Sequence, residues 1–271
     1  MTELGTIGFI GAGNMAEALC RGILNARLAP PERVIAADIQ EARRRLFAEQ
    51  LRVRVSGDNL AVARASDIVI LAIKPQTFAD VVPPIGHVLN GTKLVVSILA
   101  GVRTRRIERA CAPGARVVRA MPNTPMLVGA GITALCRGAN ASGEDLEKAA
   151  AIFRAAGQVV FAEEAQMDAV TAVSGSGPAY FFYLVEAMME AGVAEGLSAK
   201  TAATLAGQTL LGAGKLLVAS GESAAALRAK VTSPGGTTQA AIEHLDREGV
   251  RERIIAAVRR AAARSRELAA E

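Results

Sequence analysis

A chain of 271 residues with 31 Lys and Arg against 26 Asp and Glu carries a formal net charge of +5, and is 51% hydrophobic but only 3% aromatic. Its length suits two domains of about 100–200 residues, each with its own core. With two His and three Cys lacking CxxC spacing, neither a structural zinc site nor a His-dependent metal centre is expected, and Cys20, Cys111 and Cys136 read as reduced thiols packed as small hydrophobes.

The opening Met1-Thr2-Glu3 lacks the basic-then-apolar pattern of a signal peptide, so a soluble, cytoplasmic protein is expected. Continuous apolar runs over 7–10, 33–37, 68–73 and 94–98 predict strands buried on both faces of a parallel sheet. Helical periods over 15–26, 41–50, 60–65, 77–89 and 104–111 lie between or after them, a βαβ succession that builds a doubly wound α/β domain. Runs at 132–135 and 159–161, flanking a helix over 144–156, extend the sheet in a direction the pattern leaves open. The first domain thus spans 1–162.

The first strand runs into Gly11-Ala12-Gly13-Asn14-Met15-Ala16, a GxGxxA turn. Gly11 permits the tight bend, Gly13 lets backbone approach a pyrophosphate, and Ala16 keeps helix close to strand. The second strand ends at Asp38, 22 residues beyond Ala16, close to the spacing of about 20 at which a carboxylate accepts from the adenosine ribose. That carboxylate repels a 2′-phosphate and favours NADH, whereas Arg43, Arg44 and Arg45 reach back toward a phosphate, so both cofactors stay open. Lys74-Pro75 ends the strand over 68–73 at the carboxyl edge of the sheet, where Lys74 is placed either against the nicotinamide ribose or in solvent. At the next strand end, Ser97-Ile98-Leu99-Ala100-Gly101 supplies small residues that let backbone come close to a flat ring.

From 163 to 271 the strand runs stop, and helices are predicted over 167–173, 179–195, 199–219, 224–230, 238–247 and 250–270. The segment 199–219 is apolar all round and must be covered, by a second copy in an obligate dimer or inside a monomeric bundle. Its uncharged part, 201–214, is too short and too rich in Gly, Thr and Gln to span a bilayer, so no membrane partner is expected. Arg251, Arg253, Arg259, Arg260, Arg264 and Arg266 of the last helix sit among Glu248, Glu252, Glu267 and Glu271, which reads as a solvated face rather than a nucleic-acid stripe. His87 and His244 read as structural or solvated, and Tyr180 as a core or dimer contact.

Three further segments stand out: Arg119-Ala120-Met121-Pro122-Asn123-Thr124-Pro125, Ala172-Val173-Ser174-Gly175-Ser176-Gly177-Pro178-Ala179-Tyr180 and Val231-Thr232-Ser233-Pro234-Gly235-Gly236-Thr237-Thr238. With these, the glycine turn and Lys74-Pro75, essentially the whole chain resembles the pyrroline-5-carboxylate reductases. The resemblance implies an N-terminal Rossmann-type doubly wound domain and a C-terminal all-helical domain that binds substrate and interlocks into a homodimer, often five dimers in a decamer. It implies NADPH- or NADH-dependent reduction of (S)-1-pyrroline-5-carboxylate to L-proline, the last step of proline biosynthesis. It places cofactor contacts at Ile10, Gly11, Ala12, Gly13, Asn14, Met15, Asp38, Asn59, Ala72, Ile73, Lys74, Pro75, Leu99 and Ala100. It sets the substrate carboxylate at Ser233, Gly236 and Thr237, Val231 near the ring and Thr238 at the imine nitrogen. Many relatives carry Ser or Thr where Asp38 stands, so the usual preference for NADPH does not carry over automatically.

The residues themselves agree. A helix beginning at Gly235-Gly236-Thr237-Thr238 offers backbone N–H groups and hydroxyls to a small carboxylate without an arginine. A cyclic imine can take its proton from solvent, so Thr238 need only orient the nitrogen, in keeping with a chain that has almost no histidine. Two rivals remain. A β-hydroxyacid-type dehydrogenase shares the plan but carries a catalytic lysine in its helical domain, and Lys200, Lys215 and Lys230 sit in no matching motif. A non-catalytic dinucleotide-binding scaffold predicts cofactor binding without turnover.

Overall fold

The computed structural model describes residues 4–270; Met1 to Glu3 and Glu271, both weighed above, lie outside the described residues. The strands are β1 (Ile7–Ile10), β2 (Val34–Ala37), β3 (Arg54–Ser56), β4 (Ile68–Leu71), β5 (Leu94–Ser97), β6 (Arg116–Met121), β7 (Gly131–Arg137) and β8 (Gly157–Phe161). The helices are α1 (Asn14–Asn25), α2 (Glu41–Gln50), α3 (Asn59–Ala65), α4 (Phe78–Gly86), α5 (Thr104–Ala110), α6 (Gly143–Arg154), α7 (Met167–Val170), α8 (Gly177–Ala194), α9 (Ala199–Ser220), α10 (Ala224–Lys230), α11 (Thr237–Arg247) and α12 (Val250–Ala270). Two compact units result, one of the residues up to Gly175 together with those from Ala261, the other Ser176–Arg260.

In the first unit all eight strands form one sheet in the order β3-β2-β1-β4-β5-β6-β7-β8. Every pairing is parallel except β6 with β7. The direction that sequence left open is therefore settled: β7 runs against β6, and β8 runs with β7. Strands β1, β2, β4 and β5 are buried at every residue because helices cover both faces. Ala16, Leu19 and Ile23 of α1, Phe47 of α2 and Phe153 of α6 pack on one face, and Val62 of α3, Phe78 and Val82 of α4 and Ile107 of α5 on the other.

Two strands, β3 and β6, are absent from the apolar reading. β3 is short, half-exposed and starts on Arg54. In β6, Arg116 and Arg119 interrupt the apolar pattern, yet Arg119 is only 2% exposed because Glu164 reaches its guanidinium. A paired arginine in a doubly covered strand hides it from a periodicity argument. The helix predicted over 167–173 is α7 followed by a π-turn at residues 171–175, where Thr171 and Ser174 donate their hydroxyls to the carbonyls of Met167 and Val170. Asn123, after β6, holds that turn by donating from Nδ2 to the Ser174 carbonyl at 3.2 Å while its Oδ1 accepts from Ile132 N–H at 2.9 Å.

In the second unit α8 and α9 pack on each other, with Ala202 and Ala206 buried. Phe181, Phe182, Tyr183 and Leu184 nevertheless stand exposed in succession on α8, and Leu211, Leu216, Leu217 and Val218 are exposed on α9. α9 has 22 residues, more than the uncharged run 201–214, and is long and apolar enough by length and composition to cross a membrane. Exposed apolar surface on this scale marks an interaction face.

Candidate functional site

The strand order reverses between β1 and β4, the place where open α/β sheets bind ligands beyond the carboxyl ends of their strands. Register aligns those ends: Ile10 lies opposite both Ala37 and Leu71, and Leu71 opposite Ser97. Ile10 to Met15, Asp38, Ala72 to Pro75 and Leu99 with Ala100 follow directly from these four ends, so the topology brings the expected cofactor residues to one edge.

The two glycines of the turn differ in what surrounds them. Gly11 has φ +98°, and a Cβ there would lie 2.7 Å from the Ala72 carbonyl oxygen. Its N–H donates to the Ala37 carbonyl at 2.9 Å, and Ala72 N–H donates to the Ile10 carbonyl at 2.8 Å, so the bend is locked between two neighbouring strands. Gly13, the N-cap of α1, would place a Cβ with nothing within 4 Å. That open space beside the uncapped start of α1 fits a pyrophosphate approaching the backbone.

Asp38 is already engaged. Its Oδ2 accepts from Ala12 N–H and its Oδ1 from Gln40 N–H, each at 2.8 Å. Arg43 donates from Nε to the Ala12 carbonyl at 2.6 Å, and Arg44 from Nη1 to the carbonyls of Asp38 and Ile39 at 2.7 and 2.9 Å. Arg45 pairs with Glu41 at the surface. Asn59 opens α3 behind Asp58, whose Oδ1 caps the helix by accepting from Leu60 and Ala61 N–H. Lys74 is exposed, and its carbonyl accepts from Thr77 N–H and Oγ1. Leu99 is buried, and its N–H donates to the buried Ser97 Oγ at 3.3 Å.

In the second unit, Gly235 turns with φ +70° and Gly236 is the N-cap of α11, which no side chain caps. A Cβ on Gly236 would stand 2.5 Å from Ser233 Oγ, so glycine keeps the space around that hydroxyl. Gln239 Oε1 accepts from Gly235 N–H at 2.7 Å and fixes the turn. Val231 is 62% exposed, Ser233 and Thr237 are exposed and Thr238 is half-buried. Ser233, Gly235, Gly236, Thr237 and Thr238 therefore gather at one uncapped helix start, an anion-binding arrangement.

Burial pushes the Cys20, Cys111 and Cys136 thiols up to about 12, 11 and 12, so they are poor nucleophiles. His87 is exposed, and the exposed His244 sits 2.9 Å from Arg247. Among the described residues no cluster of three or more His, Cys, Asp or Glu is placed to hold a metal. A group with no sequence signal is Glu164: its Oε1 accepts from Thr104 N–H at 2.7 Å and Arg119 Nη1 at 3.3 Å, and its Oε2 from Thr104 Oγ1 at 2.6 Å. It anchors the far end of the loop that carries Leu99 and Ala100, across 60 residues of sequence.

Residues 164–268 match the family model for pyrroline-5-carboxylate reductase dimerisation, and residues 6–101 that for coenzyme F420-dependent NADP oxidoreductase. A pyrroline-5-carboxylate reductase of Methanosarcina acetivorans is 45% identical over 262 residues, 97% of either chain. The solved structure of a pyrroline-5-carboxylate reductase from Coxiella burnetii superposes with a TM-score of 0.91 at 37% identity, covering 98% of each chain. The Plasmodium falciparum pyrroline carboxylate reductase with NADP bound gives 0.89 at 30% identity, covering 99% of this chain and 100% of its own.

Proposed function

The chain belongs to the pyrroline-5-carboxylate reductase family, and from that membership we propose how its residues divide the work. It is an oxidoreductase that reduces (S)-1-pyrroline-5-carboxylate to L-proline with NADPH or NADH, the final step of proline biosynthesis. The observation that carries this is kinship over 97% of both chains, through the dinucleotide half and the helical half alike.

Bound reduced nicotinamide supplies the hydride. Ile10 to Met15, Asp38, Asn59, Ala72 to Pro75, Leu99 and Ala100 hold the cofactor, with Gly13 leaving room for the pyrophosphate. The first turn of α11, with the hydroxyls of Ser233 and Thr237 and the backbone N–H groups from Thr237 onward, binds the substrate carboxylate, while Gly235 and Gly236 line it and shape the turn, their own N–H groups donating to Gln239 Oε1 and the Ser233 carbonyl. Val231 offers the ring an apolar contact. Thr238 is the catalytic residue: its hydroxyl orients an imine nitrogen that has taken its proton from solvent, so no histidine is required.

Residues 1–162 form the dinucleotide-binding half, and 163–271 the substrate-binding and dimerisation half, a division supported by the dimerisation match from residue 164. The exposed apolar faces of α8 and α9 are covered by a second copy, giving a homodimer and, from five dimers, a decamer. On this reading α9 is an interface helix rather than a membrane span, and the enzyme works in the cytoplasm.

Purified protein given pyrroline-5-carboxylate and either cofactor is expected to oxidise the cofactor and release L-proline. Failure on that substrate with turnover of a 2-keto or 3-hydroxy acid, or cofactor binding with no turnover, would overturn the assignment.

A further inference from the structure

The turn between Gly11 and Gly13 is held from outside. Ala12, the one residue between the two glycines, has both backbone polar groups committed to the β2–α2 segment: its N–H to Asp38 Oδ2 at 2.8 Å and its carbonyl to Arg43 Nε at 2.6 Å. Arg43 Nη2 continues to Glu17 Oε2 on α1 at 2.9 Å, while Glu17 Oε1 accepts from Arg21. The Arg43 guanidinium lies 6.0 Å from the ring centroid of the fully buried Phe47, at the outer reach of a cation–π contact. The Arg43 side chain thus joins α2 to the turn and to α1, while Asp38 ties the end of β2 to the same peptide.

A glycine-flanked peptide loses more conformational freedom than any other when a ligand fixes it. Holding Ala12 in place beforehand removes part of that loss and fixes the direction of the following N–H groups. We propose that Arg43 is a positioning residue, a brace that pre-organises the turn for the pyrophosphate of either dinucleotide, and not a ligand of the 2′-phosphate. The inference rests on the cofactor reading above. Two of the donor nitrogens of Arg43 are spent on Ala12 and Glu17, and its side chain is 21% exposed.

Dissociation constants for NADPH and NADH, titrated without substrate, test this in wild type, Arg43→Met and Arg43→Lys, alongside steady-state kinetics and thermal melting. Losing a charge-assisted hydrogen bond of this kind should weaken both cofactors by the same factor, about tenfold or more. The kcat at saturation and the KM for pyrroline-5-carboxylate should stay near wild type. Arg43→Lys should recover part of the loss, since an ammonium reaches one acceptor but cannot fork between Ala12 and Glu17. Weakening confined to NADPH makes Arg43 a phosphate ligand and overturns the brace, as does unchanged binding. A fall in kcat and in affinity for pyrroline-5-carboxylate that accompanies the loss of cofactor affinity and of melting temperature reduces Arg43 to general stability and overturns it too. Wild-type binding of both dinucleotides without turnover counts against the reductase reading and leaves the brace standing or falling on the titration alone. A wild type that binds neither overturns both.

Discussion

Adding the same methyl group at Gly11 and at Gly13 should produce opposite failures. At Gly11 an alanine must adopt φ +98° and its Cβ meets the Ala72 carbonyl oxygen at 2.7 Å, the Ala72 carbonyl carbon at 2.8 Å and Ile73 N at 3.0 Å. All three are backbone atoms of the segment leaving β4, so no side chain can swing aside. The left-handed conformation costs about 1–2 kcal/mol and the overpacking about 1–3 kcal/mol, together about 2–5 kcal/mol of stability. At Gly13 the backbone lies at φ −71° and ψ −177°, which alanine adopts freely, and the Cβ meets nothing. Exchanging the N-cap glycine for alanine costs stability within about 1 kcal/mol. On the proposed cradle the methyl then enters the space of the pyrophosphate, at about 1–3 kcal/mol of binding, or about 5- to 150-fold in Kd. Melting curves and cofactor titration on both variants check this. Gly13→Ala should melt near wild type yet bind either dinucleotide poorly, and Gly11→Ala should melt several degrees lower. Wild-type cofactor affinity in a folded Gly13→Ala protein would refute the cradle.

Asp38→Ser should shift the ratio of kcat/KM values toward NADPH by removing a repulsive carboxylate, while weakening both cofactors because Ala12 N–H loses its acceptor. Thr238→Ala should lower kcat about 10- to 100-fold at saturating substrate, the worth of one orienting hydrogen bond, and unchanged turnover would remove Thr238 from catalysis. Partial burial raises the Glu17 pKa, but bonds from Arg21 and Arg43 outweigh it and hold the carboxyl below its ordinary 4.5. Its stabilisation is therefore present above 4.5 and lost as pH falls through the depressed value, so urea midpoints below pH 4.5 should fall less steeply in Arg43→Met than in wild type. Unfolding exposes thiols that ionise from about 9, whereas the folded ones hold their protons to about 11 or 12. Stability should accordingly decline as pH rises above 9, and a Cys20→Ala, Cys136→Ala protein should show a shallower alkaline limb.

Much of this architecture is written in short-range pattern. Four strands buried on both faces appear as unbroken apolar runs, and the GxGxxA turn and the distance to Asp38 follow from sterics that act within a few residues. β6 escaped that reading because Arg119 is neutralised by Glu164, a partner 45 residues away. The same limit applies to the site. The uncapped glycine start of α11 is legible in Gly235-Gly236, but three consecutive arginines after Asp38 carry no local sign that one grips Ala12, one turns to the Asp38 carbonyl and one faces Glu41. The π-turn at 171–175 is held by Asn123, and the Met121 methyl occupies the place a Gly175 Cβ would take, contacts made only once the sheet has formed. The need to cover α9 is legible in a 22-residue helix whose charges are Lys200 and Lys215 alone, and the exposed Leu211 and Val218 on it, with Phe182 on α8, give that need a surface.

A crystal structure with L-proline and NADPH bound tests the account most directly. It should place the proline carboxylate at the start of α11 against Ser233, Gly236 and Thr237, the ring nitrogen beside Thr238, and the pyrophosphate over Gly13. Proline density away from that helix start, or a pyrophosphate that leaves the Gly13 space empty, would contradict it.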